Sequence, residues 1–342
     1  MQIQIKYFLK KINDVASAKG FLVKKILVIG AGGQIGSDLV PELRDKYGNN
    51  NVVAAGFQND LPPELKESGP YIYLDVRNKK EIKDSINKFN IDIIFNLASI
   101  LSALAEKEYL LSYEVNFTGL LNILEASISN NVKQVMLVSS IAAFGSYTPS
   151  DSTPNDTIQN PSTIYGISKV FTELLGNYFS EKKGLDVRGL RLPGVISWKR
   201  EPTAGTTDYA VDIFYNAILK KEYTCFLNEN TKLPMIYMPD AINALIKLLN
   251  ADKSSLKHKV DFNISSMSFT PNELADLIKQ RVPEFNIYYE IDPLKQSIAD
   301  SWPNSLDDTV AREEWNWKPK YDINEMIDDM LYNLNIKLKK NM

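Results

Sequence analysis

The sequence predicts an α/β protein built on a doubly wound parallel sheet, with a smaller C-terminal portion interleaved with it. Short apolar segments of strand length alternate with helical patterns from residue 26 onward. A glycine-rich turn joins the first strand to the first helix, and polar residues follow the ends of several strands. Beyond residue 196 the alternation breaks down. We expect a basic leader over 1–24, a sheet domain over 25–195 and the smaller portion over 196–342, with 235–250 returning to the sheet domain.

Composition narrows the possible functions. The chain has 342 residues, of which 44% are apolar, enough for a sizeable core. Its net charge of −3 differs from the basic balance of nucleic-acid-binding domains, so we expect a small-molecule substrate. A single cysteine, Cys225, and a single histidine, His258, exclude a disulfide framework and the usual zinc sites, and we expect no metal. The apolar stretch 91–105 is interrupted by polar residues, so we expect no membrane span.

The first 25 residues are basic. They carry six lysines and one aspartate, a net charge of +5. A basic leader that is poor in acids is typical of a mitochondrial transit peptide, although such peptides favour arginine, which this stretch lacks. A tail or an extra helix explains the same pattern. Both interpretations stay open, and with them a mitochondrial or a cytoplasmic location.

The glycine-rich turn indicates a dinucleotide site. The apolar segment 25–29 runs into Gly30-Ala31-Gly32-Gly33-Gln34-Ile35-Gly36, and a helical pattern follows over 37–47. A strand, a glycine-rich turn and a helix in this order form the phosphate-binding turn of Rossmann-type sheets. We assign the tight turn to Gly30, close approach to a pyrophosphate to Gly33, and close packing of helix on strand to Gly36. The pyrophosphate is expected at the N-terminus of the helix.

The adenosine end of this site is less regular. A second strand over 51–55 ends at Gly56, where a fold that prefers NAD usually has an acid for the ribose hydroxyls, and Asp60 is a displaced alternative. Residues 56–60 contain no arginine or lysine for a 2′-phosphate, so the sequence favours NAD over NADP. Asp75 follows a third strand. We expect it to accept a hydrogen bond from the adenine amine and to cap the helix Lys79–Phe89.

A tyrosine and a lysine at helical spacing suggest acid–base chemistry. Tyr165 and Lys169 lie four residues apart, so both side chains share one helix face. An ammonium group favours a phenolate, and we expect Lys169 to lower the pKa of the phenol. Tyr165 is therefore a candidate general acid or base. Ser140 follows a strand over 135–139, at the edge where open parallel sheets bind ligands.

Together these residues resemble the extended short-chain dehydrogenase/reductase superfamily. From about residue 25 to the C-terminus the chain is similar to the short-chain type of L-threonine 3-dehydrogenases. The motifs that carry this resemblance are Gly205-Thr206-Thr207-Asp208-Tyr209-Ala210, Leu233-Pro234-Met235-Ile236-Tyr237-Met238-Pro239-Asp240, Ser268-Phe269-Thr270-Pro271, Ile298-Ala299-Asp300-Ser301-Trp302-Pro303 and Leu306-Asp307-Asp308 followed by Trp315-x-Trp317. Two positions depart from the family, which usually has aspartate in place of Gly56 and threonine in place of Ser140.

The resemblance implies oxidation of the β-hydroxyl of L-threonine to L-2-amino-3-oxobutanoate, with NAD as hydride acceptor and without a metal. By this resemblance Tyr165 takes the hydroxyl proton. Lys169 lowers the pKa of Tyr165 and donates a hydrogen bond to the nicotinamide ribose. Ser140 would orient the substrate oxygen, and Asn116 would hold a proton-relaying water. The resemblance also implies a homodimer that pairs through the helices of Asn116 and Tyr165 in a four-helix bundle. A coenzyme A-dependent 2-amino-3-oxobutanoate ligase is the implied pathway partner.

The contacts that the resemblance implies fall on the glycine turn, on the ends of the strands and on the loop 199–208. Those with the cofactor are Gly30, Gly32, Gly33, Gln34, Ile35, Gly36, Gly56, Phe57, Gln58, Asp75, Val76, Leu97, Ala98, Ser99, Asn116, Tyr165, Lys169, Pro193 and Val195. Those with the substrate are Ser102, Ser140, Tyr165, Thr206, Thr207 and Trp302. Thr206 and Thr207 are expected to hold the carboxylate, and Trp302 to close on the apolar side. The loop 199–208 is expected to be a lid, with Asp208 capping the next helix.

Two other functions stay open. A nucleotide-sugar epimerase or dehydratase on the same fold would need basic residues in the C-terminal portion to hold a sugar diphosphate. Lys199 and Arg200 are the only local candidates. A non-catalytic dinucleotide sensor would not need Tyr165, Lys169 and Ser140 together. Both rank below threonine oxidation.

Overall fold

A computed structural model of the chain describes residues 24–58, 61–203 and 205–340. The predicted leader, apart from Lys24, lies outside the described residues, as does Asp60, the alternative ribose ligand. In the described part of the chain, no helix is both long and apolar enough to cross a membrane.

Buried apolar segments form the central sheet. The strands found in the described ranges are β1 (Ile26–Ile29), β2 (Val52–Gly56), β3 (Tyr71–Tyr73), β4 (Ile93–Asn96), β5 (Gln134–Ser140), β6 (Asp186–Leu192), β7 (Gly194–Ile196), β8 (Glu222–Cys225), β9 (Leu233–Tyr237), β10 (Phe262–Asn263), β11 (Met267–Phe269) and β12 (Asn286–Tyr289). Seven of them run parallel in the order β3-β2-β1-β4-β5-β6-β10. The order reverses between β1 and β4, which is where doubly wound sheets bind ligands. The predicted fold class is confirmed.

Helices cover both faces of this sheet. The helices of the described chain are α1 (Gln34–Tyr47), α2 (Pro63–Glu67), α3 (Lys79–Phe89), α4 (Ser102–Lys107), α5 (Tyr109–Ser112), α6 (Gly119–Ser129), α7 (Ile164–Lys182), α8 (Tyr209–Leu219), α9 (Met238–Asn250), α10 (Pro271–Lys279), α11 (Pro293–Asp300), α12 (Thr309–Trp315) and α13 (Ile323–Lys340). On one face α1 and α9 bury Leu39 and Leu245. On the other face α3, α6 and α7 bury Ile82, Leu124 and Phe179.

The smaller portion has its own apolar cluster. β7, β9 and β11 form a three-stranded sheet, and β8 pairs with β12. Residues from these strands and from α8, α10 and α13 pack together, among them Tyr209, Phe269 and Met330. α9 follows β9 directly and packs on α1, so the chain returns to the central sheet there.

The C-terminal region completes one face of the central sheet. Trp315 and Trp317 belong to the same apolar cluster as Ile26 of β1. The Trp315 ring meets Phe262 of the edge strand β10 at 5.8 Å between centroids. Trp317 donates from Nε1 to the Asp308 carboxylate at 3.0 Å. The apolar face of the edge strand β10 is therefore covered by residues that follow it by about fifty positions.

The region around Asn116 is not one regular helix. α4 and α5 are followed by a π-helical turn, Tyr113–Thr118, and then by α6. The Asn116 side chain accepts from the N–H of Ile100 at 2.8 Å and donates to the Ile100 carbonyl at 3.0 Å. π-helical turns are frequent at functional sites. Here the turn aims Asn116 at the loop after β4.

Candidate active site

The glycine-rich turn lies at the switch point of the sheet. Gly30 has φ of +80°, and a Cβ there would lie 2.9 Å from the backbone of Leu97 and Ala98. A Cβ on Gly36 would lie 2.4 Å from the Gly30 carbonyl oxygen, whereas one on Gly33 would make an ordinary contact at 3.4 Å. Gly33 caps α1 without a side-chain hydrogen bond, which leaves N-terminal N–H groups of the helix for a ligand. These residues fit the pyrophosphate of a dinucleotide.

A cavity of about 260 Å³ extends from this turn along the ends of β1, β2 and β4. Nine predicted cofactor contacts line it, namely Gly30, Gly33, Gly56, Phe57, Asp75, Val76, Leu97, Ala98 and Ser99. Its other lining residues are Ile29, Leu74, Arg77, Ile100, Leu111 and Val115. Its position and its largely apolar lining fit the adenosine end of NAD.

Asp75 and Arg77 form an ion pair at the edge of this cavity. The Arg77 guanidinium donates from Nε and Nη2 to the Asp75 carboxylate, at 3.0 Å and 2.7 Å. These hydrogen bonds hold the pKa of Asp75 below its ordinary value. Asp75 does not cap α3, because Asn78 lies directly before the helix and accepts from its first N–H groups. The capping role predicted for Asp75 is therefore wrong.

Tyr165, Lys169 and Ser140 meet where α7 passes the end of β5. Lys169 Nζ lies 5.1 Å from the centroid of the Tyr165 ring and donates to the Val138 carbonyl at 3.0 Å. Ser140 is the last residue of β5, one position inside the strand compared with the prediction. Its Oγ accepts from the N–H of Ala142 at 3.2 Å, which fixes the hydroxyl at the strand end. The three predicted catalytic groups thus share one site.

Burial dominates the pKa values of this cluster. It raises the pKa of Tyr165 to about 12, although the neighbouring Ser140 hydroxyl opposes the shift. Burial also lowers the pKa of Lys169 to about 8, against the attraction of Glu173. The expectation that Lys169 lowers the phenol pKa is therefore wrong. The cost of burying a phenolate sets the direction of the shift, and the Lys169 ammonium donates to the Val138 carbonyl and not to the phenol.

Some predicted contacts line neither this adenosine cavity nor the substrate cavity described next. Within the described residues these are Gly32, Ile35, Gly36, Gln58, Asn116 and Lys169. Asn116 joins α7 to the loop after β4, since its Nδ2 also donates to Ser168 at 3.3 Å. The water-holding role of Asn116 stays a prediction.

A second cavity, of about 150 Å³, lies beside Tyr165. The predicted residues that line it are Gln34, Ser102, Ser140, Tyr165, Pro193, Val195, Thr206, Thr207 and Trp302. Asp208 is the only charged side chain among the described lining residues. Its carboxylate accepts from both the N–H and the hydroxyl of Thr203 at 2.5 Å, and it makes no capping hydrogen bond to α8. The capping role predicted for Asp208 is wrong, because Thr203 engages the carboxylate.

Thr206 presents a buried polar atom to this cavity. The residue is 1% exposed, and its Oγ1 has no hydrogen-bond partner among the described atoms. Buried polar atoms are rarely left unpaired, so this hydroxyl indicates a ligand group. The 3₁₀ turn Thr206–Asp208 leads directly into α8, and the N-terminus of a helix favours anions. The cavity thus offers an anion-binding end at Thr206 and a carboxylate at Asp208.

Two lining residues lie at sequence positions that carry no motif. Arg77 follows the predicted Asp75 by two residues, and Thr203 lies within the predicted lid. Only the folded chain shows that Arg77 borders the adenosine cavity and that Thr203 holds Asp208. Among the residues that the structure describes, no three His, Cys, Asp or Glu side chains lie close enough to hold a metal ion.

Comparisons with known proteins agree with this geometry. The model of the NAD dependent epimerase/dehydratase family matches residues 26–265. An uncharacterised epimerase/dehydratase of Staphylococcus saprophyticus is 43% identical over 309 residues, which cover 90% of this chain and 96% of the relative. L-threonine dehydrogenase from Clostridium difficile superposes with a TM-score of 0.89 at 47% identity, over 92% of this chain and 98% of that structure. The holo form of the GalE-like L-threonine dehydrogenase from Cupriavidus necator superposes with a TM-score of 0.88 at 44% identity, over 91% of this chain and 99% of that structure.

The sheet order, the glycine turn and these matches have one explanation. The cofactor is NAD(H), and the activity is that of an NAD-dependent short-chain dehydrogenase/reductase-type enzyme. The chain belongs to the NAD-dependent epimerase/dehydratase family.

Proposed function

We propose that the chain oxidises the β-hydroxyl of L-threonine to L-2-amino-3-oxobutanoate. The observation that carries this proposal is the set of groups around the small cavity. Tyr165 and Ser140 offer hydrogen bonds to a substrate hydroxyl. Thr206 and Thr207 stand at a helix N-terminus, which suits a carboxylate, and Asp208 suits an ammonium group. A β-hydroxy amino acid has one group for each, and the similarity to L-threonine dehydrogenases supports the same substrate.

The size of the cavity supports a small substrate. Its volume of about 150 Å³ is below the ~300–1,000 Å³ typical of pockets for drug-sized ligands. Trp302 forms part of the wall, and its ring is suited to contact the methyl group of threonine. Exclusion of water by such a wall strengthens the polar contacts inside.

The chain's own residues supply the proton chemistry. NAD, when bound, supplies the hydride acceptor. Tyr165 takes the hydroxyl proton of the substrate while its own phenolic proton passes to the neutral amine of Lys169, and Ser140 donates to the substrate oxygen as it becomes a carbonyl. With a pKa of about 12, the phenol is protonated at neutral pH, so the Tyr165–Lys169 pair must first release a proton. The pKa of Lys169, about 8, sets the pH at which the pair does so.

A turnover assay tests the proposal. Purified protein is mixed with L-threonine and NAD, and NADH is followed by its absorbance, with D-threonine, L-serine and NADP as controls. We expect turnover with L-threonine and NAD alone. Tyr165→Phe should lose at least about 100-fold in kcat and keep its affinity for NAD. NAD binding without turnover of L-threonine would sink the threonine assignment.

The two rival functions make different demands on the same cavity. A nucleotide-sugar epimerase must hold an anionic diphosphate, but the one charged group among the described lining residues is the carboxylate of Asp208. A dinucleotide sensor should be indifferent to Tyr165→Phe. Turnover of a nucleotide sugar would favour the epimerase. Unchanged function of the Tyr165→Phe variant would favour the sensor.

We also propose a homodimer, because α5, the π turn and α7 carry an apolar surface. Its exposed side chains are Tyr109, Leu110, Tyr113, Ile167, Leu174 and Tyr178. The two helical segments pack side by side through Phe117 and Phe171, whose ring centroids lie 5.0 Å apart. Light scattering should report a dimer that Leu174→Glu dissociates. Leu219→Glu, which changes an exposed leucine on α8, is the matched control, and a wild-type monomer would contradict the proposal.

The product is a β-keto acid, which loses carbon dioxide readily in water. We propose a coenzyme A-dependent ligase as the pathway partner, and glycine should replace aminoacetone when ligase and coenzyme A are added to the assay.

The cellular location stays a prediction. N-terminal sequencing of the protein from its own cells distinguishes a cleaved leader from a retained one.

A further inference from the structure

The segment Ser197–Arg200, here called the strap, lies against the glycine-rich turn. Arg200 donates from Nη2 to the Gly32 carbonyl at 2.7 Å, and its Nε lies 3.4 Å from the Ser37 hydroxyl on α1. Lys199 pairs with Asp38 on the same helix at 2.6 Å. The strap is therefore attached to the part of the molecule that receives the pyrophosphate, although it belongs to the smaller portion in sequence.

The two cations of the strap have different partners. Lys199 is neutralised by Asp38, whose carboxylate also accepts from Ser197. Arg200 is half-buried, and its hydrogen bonds go to a carbonyl and a hydroxyl, which are neutral. Among the residues that the structure describes, no carboxylate pairs with Arg200. Arg200 thus interacts with the Asp38 carboxylate only at longer range, and its own hydrogen bonds bring no counter-charge to the turn.

The neighbouring helix terminus points to an anion as the missing partner. Gly33 caps α1 without a side-chain hydrogen bond, and the Gly32 carbonyl is occupied by Arg200. A guanidinium carries five N–H donors in a planar fork, and two hydrogen bonds leave donors available. Guanidinium groups and helix N-termini are both suited to phosphate oxygens.

We propose that Arg200 binds the pyrophosphate of NAD together with the N-terminus of α1. The strap continues into the loop that carries Thr206 and Asp208, so the cofactor's phosphates and the substrate's charged groups are held by one stretch of chain. NAD then contributes to ordering the substrate site before the substrate enters. The inference depends on NAD as the cofactor and not on the identity of the substrate.

The test is a titration that needs no turnover. NAD, ADP-ribose and adenosine are titrated into the protein, with intrinsic tryptophan fluorescence or calorimetry as the readout; Trp198 lies on the strap itself. Arg200→Gln should weaken NAD and ADP-ribose about 10- to 100-fold, because a charge-assisted hydrogen bond is lost. Adenosine, which has no phosphate, should bind as before. Arg200→Lys, which keeps the charge but not the fork, should fall between.

The controls separate phosphate binding from support of the loop. Arg281→Gln removes an arginine whose partner is the exposed Asp328, far from the turn, and should leave all three affinities unchanged. If Arg200→Gln folds poorly, Arg200→Lys carries the test, because it should weaken NAD and ADP-ribose and leave the binding of adenosine unchanged. Unchanged binding of NAD and ADP-ribose would overturn the proposal. A rise in KM for the substrate with the Kd for NAD unchanged would also overturn it.

Discussion

Single side chains in the active site owe their properties to burial. Tyr165 and Lys169 each lose water contacts. Burial raises the pKa of the phenol and lowers that of the ammonium group, so it favours the neutral form of both. The pKa of the lysine falls close to physiological pH, while that of the phenol moves away from it. The pair therefore loses one proton near physiological pH, and the pKa of Lys169 sets the pH at which it does so.

The first prediction concerns pH. The form active in oxidation has lost one proton, so kcat/KM should rise with pH and level off above about 8, the pKa of Lys169. In Lys169→Gln only the phenol is left to lose a proton, and its raised pKa should move the rise to higher pH and depress activity at pH 7. Lys182→Gln, at the far end of α7, is the control for lost charge. An unchanged profile in Lys169→Gln would contradict the assignment.

A second prediction concerns recognition of the ammonium group. Asp208→Asn removes the one negative charge found on the described cavity wall and should raise KM for L-threonine about 10- to 100-fold. The Kd for NAD should not change, because Asp208 lies outside the adenosine cavity. Thr203→Val is the matched control, since it removes a hydrogen bond to the carboxylate and leaves the charge. Equal losses in both variants would assign Asp208 to loop structure alone.

Elements that depend on local pattern could be predicted from the sequence. The helix Lys79–Phe89 has the predicted ends, because its periodicity and its polar caps are local. The π turn around Asn116 and the docking of Arg200 on Gly32 could not be predicted, since both depend on residues that are distant in sequence. The role of Asp208 could not be predicted for a different reason, since its partner Thr203 lies only five residues before it. Its position favours a helix cap, and only the folded loop shows that Thr203 engages it.

The glycine turn gives a prediction that separates folding from binding. In Gly36→Ala the Cβ would lie 2.4 Å from the Gly30 carbonyl oxygen, so turn and helix must move apart and the melting temperature should fall by several degrees. In Gly33→Ala the contact is ordinary, so stability should stay near that of the wild type while the methyl group blocks the pyrophosphate and weakens NAD binding. Thermal melts and NAD titrations of both variants check this. Equal stability of the two would contradict it.

At the scale of the whole molecule, one buried ion pair joins several parts of the chain. Glu173 on α7 receives two hydrogen bonds from Arg191 on β6, at 2.9 Å and 2.8 Å, and both side chains are nearly inaccessible. Gln159, from the stretch between β5 and α7, donates to the same carboxylate at 2.6 Å. Arg191 also donates to the Asn155 carbonyl at 2.6 Å. The pair fixes that stretch to the sheet beside the catalytic residues.

The fourth prediction follows from this pair. Glu173→Gln leaves the Arg191 guanidinium buried without its counter-charge and should lower the free energy of unfolding by about 3–5 kcal/mol. Denaturant titration measures the loss. Asp328→Asn breaks the exposed pair with Arg281 and should stay near wild type. A loss of less than about 1 kcal/mol in Glu173→Gln would show that the interior tolerates the unpaired arginine.

The tryptophans near the C-terminus have a consequence for synthesis of the protein. Ile26 is synthesised almost 300 residues before Trp315 and Trp317, which belong to the same apolar cluster. Until residues 315–317 are made, part of this apolar cluster, at the edge strand β10, has no cover from the tryptophans. Chaperones that hold exposed apolar segments are the helpers such a chain needs, and a premature stop before Trp315 should yield protein that is degraded instead of a smaller dinucleotide-binding fragment.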